Sequence, residues 1–397
     1  MSASSNDTVN SLDFPPALLS DELLERIRSR AAGYDRENRF PDEDLAELRD
    51  AGYLRMFAPT ATGGLGFGLE RVVAEHQRLA TAAPATALAL TMHLVWTGVA
   101  HALSARGDDS LAFVLSDAVA GEIFAFGNSE AGNDLVLQDS NTVAEPQIGG
   151  AYRFFGTKIF TTMSPVWTRL GVLGRDDSDP AHPQLVHAFL TRETPGYRIQ
   201  ADWDTLGMRA TQSHTTILEG AEAPADRVIR KLTPGPNGDP LVFAIFANFE
   251  LLMAAVYTGI GSRALTLAVE AAHRRTSKKN GGRPYAHDPD IRWKVAEAGI
   301  AQDGIGPQIS TLAADVDRLA PHGAAWFPKL VGVKVRATEN ARFVVDQAIR
   351  VTGGSTMANS SELGRLYRDV LAGIFHPSDG ESAHSTVANS LLGPVPE

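Results

Sequence analysis

The chain has 397 residues, enough for two or three domains, and its 44% hydrophobic and 21% charged composition excludes wholesale disorder. With 36 Lys and Arg against 47 Asp and Glu, the net charge is −11, a poor basis for sequence-independent nucleic-acid binding, which needs cations to displace counterions. There is no cysteine, so disulfides, thiolate metal sites and cysteine nucleophiles are all excluded, and no metal site is expected. The polar stretch Met1 to Pro16 lacks the basic and apolar regions of a signal peptide. The apolar run from Ala83 to Ala102 is broken by Thr86, Thr91, His93 and Thr97, and reads as a buried core helix rather than a membrane span. The expectation is a cytoplasmic protein with neither a membrane nor a nucleic-acid partner.

Three textures follow in chain order, over residues 1–120, 121–235 and 236–397. In the first, Asp21 caps a helix from Glu22 to Arg30, and Pro41-Asp42-Glu43 opens a second helix that carries Leu45, Leu48 and Tyr53. Gly63-Gly64-Leu65-Gly66 is a glycine turn, and a helical pattern runs from Leu69 through Val72, Val73 and His76 to Leu79. Gly64, Gly66 and Gly68 look superficially like a dinucleotide fingerprint, but no strand precedes them and the spacing is wrong, which excludes a Rossmann site. In the second zone, Glu122–Phe126, Tyr152–Thr162, Leu170–Leu173, Gln184–Leu190 and His214–Leu218 read as strands of a small antiparallel barrel or sandwich. In the third, long helical patterns over Phe243 to Ala272, Asp290 to Leu319, Ala324 to Val351 and Ser361 to Leu371 read as a bundle. A basic, turn-rich loop from Arg274 to Pro284 joins the first two, and Arg275, Lys278 and Lys279 in it read as a solvated face.

This order, with its motifs, resembles the acyl-CoA dehydrogenase superfamily of flavoproteins over residues 20 to 393. The carriers are Gly63–Gly66, then Ser129-Glu130-Ala131 with Gly132-Asn133-Asp134, and Phe155-Gly156-Thr157-Lys158-Ile159-Phe160-Thr161-Thr162. Gly207-Met208-Arg209 with its polar run, Arg274, Thr352-Gly353-Gly354 and Arg368-Asp369 complete the set. The resemblance implies an N-terminal α-helical domain, a middle antiparallel β-barrel and a C-terminal four-helix bundle. It also implies a bound flavin, with the protein supplying binding and electrostatics and the cofactor the redox chemistry. By the same resemblance, Phe126, Ser129, Asn133, Phe160 and Thr162 line the flavin, with hydroxyls at its polar edge and Phe160 against the ring. Arg274 reaches the phosphates of a neighbouring subunit's flavin, so a homotetramer or homodimer is expected, and Gly353 and Gly354 approach the nucleotide tail. Those last features favour FAD over FMN.

Dehydrogenases of the family need a carboxylate base against the flavin, usually nine residues after the Arg of the Arg-Asp pair. Counting from Arg368, that place is Pro377, which can neither take nor give a proton. A minority place the base on the first bundle helix, where the expected position is Phe249; its neighbour Glu250 is turned about 100° away on a helix. His376 stands in the missing carboxylate's neighbourhood, as in the two-component flavin monooxygenase branch. Those enzymes take reduced flavin from a separate reductase, react it with O2 at the flavin C4a and transfer oxygen to a substrate. Histidine suits a donor there because its pKa lies near working pH. His93, on the apolar helix, is a second candidate donor. Trp96 and Phe249 on the substrate-facing segments lean toward an aromatic or heteroaromatic, indole-like substrate rather than an amino sugar. The alternatives are an acyl-CoA dehydrogenase with Glu250 as base and a non-catalytic flavoprotein.

Overall fold

The computed structural model describes residues 16–395, so the N-terminal stretch read for a leader lies outside it save for Pro16. The first helix, α1 (Asp21–Glu37), is capped by Ser20, whose Oγ accepts from the Leu23 amide, so Asp21 is already its first residue rather than its cap. It continues past Arg30 and stops where Asn38 turns left-handed. There follow α2 (Asp42–Asp50), α3 (Leu69–Ala82), α4 (Pro84–Ser104) and α5 (Ala112–Val119), the last without a counterpart among the expected helices. Asp317, far along the chain, caps α3 by accepting from the Leu69 and Glu70 amides at 2.8 and 3.0 Å. A side chain at Gly68 would meet that carboxylate at 2.6 Å, which is why the junction takes glycine.

The strands are β1 (Phe124–Gly127), β2 (Val143–Pro146), β3 (Tyr152–Thr161), β4 (Arg169–Asp176), β5 (Gln184–Thr191), β6 (Tyr197–Ile199), β7 (His214–Ala223) and β8 (Val228–Leu232). They form one sheet in the order β6-β7-β3-β2-β4-β5-β8, with β1 attached to β4. The expectation of wholly antiparallel pairing is corrected here: β1 runs parallel to β4, and β2 touches β4 in parallel as well. Neither pair is joined by a tight turn, the connection that forces antiparallel pairing. Phe154, Trp167, Leu170, Val172, Val186 and Leu218 fill the sheet's own core.

After the sheet come α6 (Pro240–Arg274), α7 (Pro289–Asp303), α8 (Ile305–Asp317), α9 (Trp326–Thr352), α10 (Glu362–Val370) and α11 (Gly380–Leu392). The pattern over Asp290 to Leu319 is two helices, interrupted at Gly304. The long helix α6 packs on α9 and, on its other side, on α3 and α4, so the two helical zones share one core across the inserted sheet. By length and composition α4 and α6 could each cross a membrane, but both are largely enclosed by protein. Trp96 on α4 donates its indole N–H to the Ala125 carbonyl at 3.0 Å and packs on Phe126 and Phe189. It is a core residue, which corrects its reading as substrate-facing.

Sheet, α1 and α10 meet at one seam. Arg368 pairs with Asp35 and donates to the Leu206 carbonyl at 2.7 Å, while buried Asp369 accepts from the Met208 amide at 2.6 Å. A Cβ on Gly207 would lie 2.2 Å from the Arg368 carbonyl oxygen. Because the obstacle is backbone and cannot swing aside, Gly207→Ala is expected to destabilise the protein by about 1–3 kcal/mol, read as a lower urea midpoint at unchanged slope.

Candidate active site

The expected site residues fall into three groups in the structure, and one of them, His93, lies outside all three. The first group lies on the sheet. Ser129 follows β1 and is tied to β3 by its carbonyl, which accepts from the Ile159 amide at 2.9 Å. Phe160 has a left-handed φ of 56°, is 59% exposed, and meets Trp203 edge-on. Thr162 Oγ1 lies 2.8 Å from Ser213 Oγ, which lies 2.8 Å from Thr211 Oγ1, a chain of hydroxyls beside the exposed ring. Phe126, at the end of β1, packs inward on Trp96. Asn128, between Phe126 and Ser129, is buried with neither side-chain polar atom partnered.

This shelf is held from below by a buried ion pair. Lys158 Nζ lies 2.7 Å from Glu130 Oε1, and the same carboxylate accepts from Ser140, Thr142, Asn141 and Asn133. Burial pushes the Glu130 carboxyl up, but the Lys158 ammonium and this ring of donors overcome it and bring the pKa to about 2. Asn133 is thereby accounted for: its amide nitrogen bonds Glu130 and the Asp139 carbonyl, and its oxygen takes the Leu135 amide. It holds its own loop and has no free donor for a flavin, contrary to expectation.

The second group is the turn after α9. Gly353 has φ 78°, and a Cβ there would meet Arg275 Nη1 at 2.8 Å. That nitrogen is buried without a hydrogen-bond partner, and the guanidinium lies over the Tyr285 ring. Arg275, expected to be solvated, is therefore the cation facing the Gly353-Gly354 turn within the chain, while Arg274 is exposed at the end of α6. A hydroxyl edge, an exposed aromatic ring, and a guanidinium with one unpartnered nitrogen facing a glycine turn are the kinds of group that suit a flavin's pyrimidine edge, ring and phosphate.

The third group is a turn between α10 and α11. Glu250 on α6 is buried, and its Oε1 accepts from the Ser378 amide at 3.0 Å and the Ser378 hydroxyl at 2.9 Å. Glu250 was expected to point away from the flavin; α6 is enclosed on all sides from Glu250 to Gly261, so a rotation about its axis still leaves the side chain inside the protein, here against the turn that carries Ser378. Burial raises the Glu250 pKa to about 7, against the pull of Lys334 and Ser378. His376 sits on the same turn with its ring 5.9 Å from Tyr257 and its Nε2 buried without a partner. Burial first, and Lys334 second, lower its pKa to about 3, so it is a neutral imidazole rather than a group titrating near working pH. Lys334, Ser378 and Tyr257 went unread in the sequence. Lys334 alone carried a signal, as a lone cation on the apolar stripe Leu330, Ala337 and Ala341 of α9.

His93 belongs to none of these groups. Its Nε2 lies 2.7 Å from the Leu54 carbonyl and its Nδ1 accepts from the Phe124 amide at 3.3 Å, with burial lowering its pKa to about 4. Both nitrogens are in use, so it is a core histidine and not a donor to substrate.

Comparison with known proteins agrees with this geometry. The family models of the acyl-CoA dehydrogenase N-terminal and C-terminal domains match residues 19–122 and 251–378. The Bacillus subtilis (strain 168) protein YdbM, which carries an acyl-CoA dehydrogenase name, is 27% identical, covering 93% of this chain and 94% of its own. The amino sugar nitrososynthase DnmZ of Streptomyces peucetius is 28% identical, covering 92% of each. Among solved structures, KijD3 in complex with FMN and a dTDP-amino-keto sugar superposes with a TM-score of 0.82 at 27% identity, covering 96% of this chain and 94% of that one. With two domain models in the expected order and relatives aligned end to end, the chain belongs to the acyl-CoA dehydrogenase superfamily and is a flavin-dependent oxidoreductase.

Proposed function

We propose that the protein is a flavin-dependent monooxygenase that receives reduced flavin from a separate reductase and uses O2 to hydroxylate an aromatic or heteroaromatic, indole-like small molecule. The observation that carries this reading is the turn after α10. Where a dehydrogenase of this family needs a carboxylate stands Pro377, and beside it the half-buried, neutral His376 has an enclosed ring nitrogen without a partner. When bound, the flavin supplies the reaction with oxygen. The chain's part is to keep water out and to offer a hydrogen bond at His376 Nε2, with Thr162 and Ser129 at the polar edge of the ring. Arg275 with Gly353 and Gly354 favours FAD, whose longer tail uses a second anchoring point, over FMN. In this reading the protein works in the cytoplasm as a homotetramer or homodimer, with Arg274 reaching a neighbouring flavin. Phe249, half-buried beside Glu250, carries the aromatic preference.

Rapid mixing of the anaerobic protein and reduced FAD with O2 tests the proposal. A long-lived species between the reduced and oxidised spectra is expected. His376→Ala should keep flavin binding and lose product by about a hundredfold or more, releasing hydrogen peroxide instead. Indoles and amino sugar nucleotides, offered side by side, decide the substrate class.

One observation favours a second reading. Glu250 Oε2 is buried and unpartnered, in a carboxylate whose pKa is about 7, which is what a proton-abstracting base requires. An acyl-CoA dehydrogenase of this kind would bleach its oxidised flavin anaerobically with an acyl-CoA.

A further inference from the structure

The segment between α10 and α11 contains little regular structure to satisfy its own backbone. After a short 3-10 turn (Leu371–Ile374) the chain runs irregularly to Gly380, and Pro377 has no N–H to offer. A single cation from α9 meets its carbonyls. Lys334 Nζ donates to His376 O at 2.7 Å, Ser378 O at 2.8 Å and Gly373 O at 3.3 Å, and the side chain is fully enclosed. From the other side a single anion, Glu250 on α6, takes the Ser378 amide and hydroxyl. Among the described residues Lys334 and Glu250 form no direct ion pair; the backbone of Ser378 lies between them and bonds both.

A lysine at this place is hard to explain as packing. A buried ammonium is strongly penalised, and a methionine of similar volume would fill the same stripe of α9 without that penalty. What methionine cannot do is tie three carbonyls of one short turn together. The imidazole whose Nε2 is left unpartnered belongs to the middle one of the three residues whose carbonyls Lys334 ties.

We propose that Lys334 is a positioning residue for the oxygen reaction: by gathering the carbonyls of Gly373, His376 and Ser378 it holds the turn in the one form that presents His376. This rests on the reading of His376 given above. Lys334 itself touches no substrate or cofactor; it acts through the turn, with Glu250 as its counterpart on the opposite side.

The test compares wild-type protein with Lys334→Met and with Lys334→Gln, which keeps two donors but no charge. Three quantities are read in each: deuterium uptake of peptides spanning 374–380, affinity for reduced FAD, and the share of O2 consumed that leaves as hydrogen peroxide. In Lys334→Met the segment is expected to exchange at least about tenfold faster while distant core peptides keep their protection. FAD affinity should hold, the peroxide share should rise toward that of His376→Ala, and Lys334→Gln should fall between. Unchanged exchange in the segment overturns the proposal, as does faster exchange with an unaltered peroxide share. If neither variant accumulates as folded protein, Lys334 serves the fold and the assignment is likewise overturned. Failure of the monooxygenase reading is a separate result: wild-type protein would then bleach with acyl-CoA and show no oxygen intermediate, whatever the exchange data say of the turn.

Discussion

Glu130→Gln should lower stability by about 3–5 kcal/mol, because it leaves the Lys158 ammonium buried and unpaired in the sheet. The Gln oxygen can still accept from Lys158, which also keeps its bond to the Leu173 carbonyl at 2.6 Å, but the counter-charge is gone and an NH2 group replaces the second oxygen that takes the Asn141 amide and the Asn133 side chain. The double variant Glu130→Gln, Lys158→Met should recover part of the loss, since removing both charges removes the uncompensated one. Denaturant midpoints of the three proteins check this. Acid gives an independent check with a definite sign. The folded-state pKa of Glu130 is depressed from 4.5 to about 2, so its contribution is present in full above pH 4.5 and is lost as pH falls toward 2. Glu130→Gln should flatten that part of the curve. Flavin affinity should fall with stability, because Ser129 adjoins Glu130 and Phe160 lies just beyond Lys158 on the same strand.

Glu250→Gln separates the two functional readings by the largest factor available. The substitution is nearly isosteric, and the amide oxygen can still accept from the Ser378 amide and hydroxyl, so the turn should survive. If Glu250 removes a proton from an acyl-CoA, anaerobic bleaching should fall by about 10²–10⁴-fold. The monooxygenase reading expects the oxygen intermediate to persist in the variant and no acyl-CoA to bleach the wild type. The same variant has a stability signature. The folded-state pKa of Glu250 is raised from 4.5 to about 7, so between these values the folded protein holds more protons than the unfolded chain. Stability attributable to Glu250 therefore falls as pH rises from 4.5 to 7, and Glu250→Gln should abolish that slope.

The three-zone order was legible because apolar periodicity changes from helical to alternating and back along the chain. The strands that went unread show why others were legible. β2 is mostly exposed, β6 has three residues and β8 is half-buried, so none of them alternates cleanly between core and solvent. Where helices are enclosed on every side, facing arguments fail in both directions. His93 and Trp96 on α4 were read toward a substrate and lie in the core; Glu250 on α6 was read as turned away and lies against the His376 turn. The hydroxyl at Thr162 and the glycines at 353 and 354 were found through local motifs. Arg275 and Lys334 were not, because the Gly353 turn that Arg275 faces and the carbonyls that Lys334 bonds are remote in sequence and only the folded chain brings them near.

The shared core of the two helical zones also bears on how the protein is made. As the chain leaves the ribosome, α4 emerges with nearly all of its surface destined for burial, while α6, the helix that covers it, follows only after the whole sheet. At ordinary elongation rates that interval is roughly ten to thirty seconds, long enough for an exposed apolar helix to find wrong partners. Asp317, which closes the first turn of α3, arrives later still. Chains halted between α4 and α6 should therefore aggregate more readily than the full-length chain, which ribosome-release and sedimentation of the two species would show.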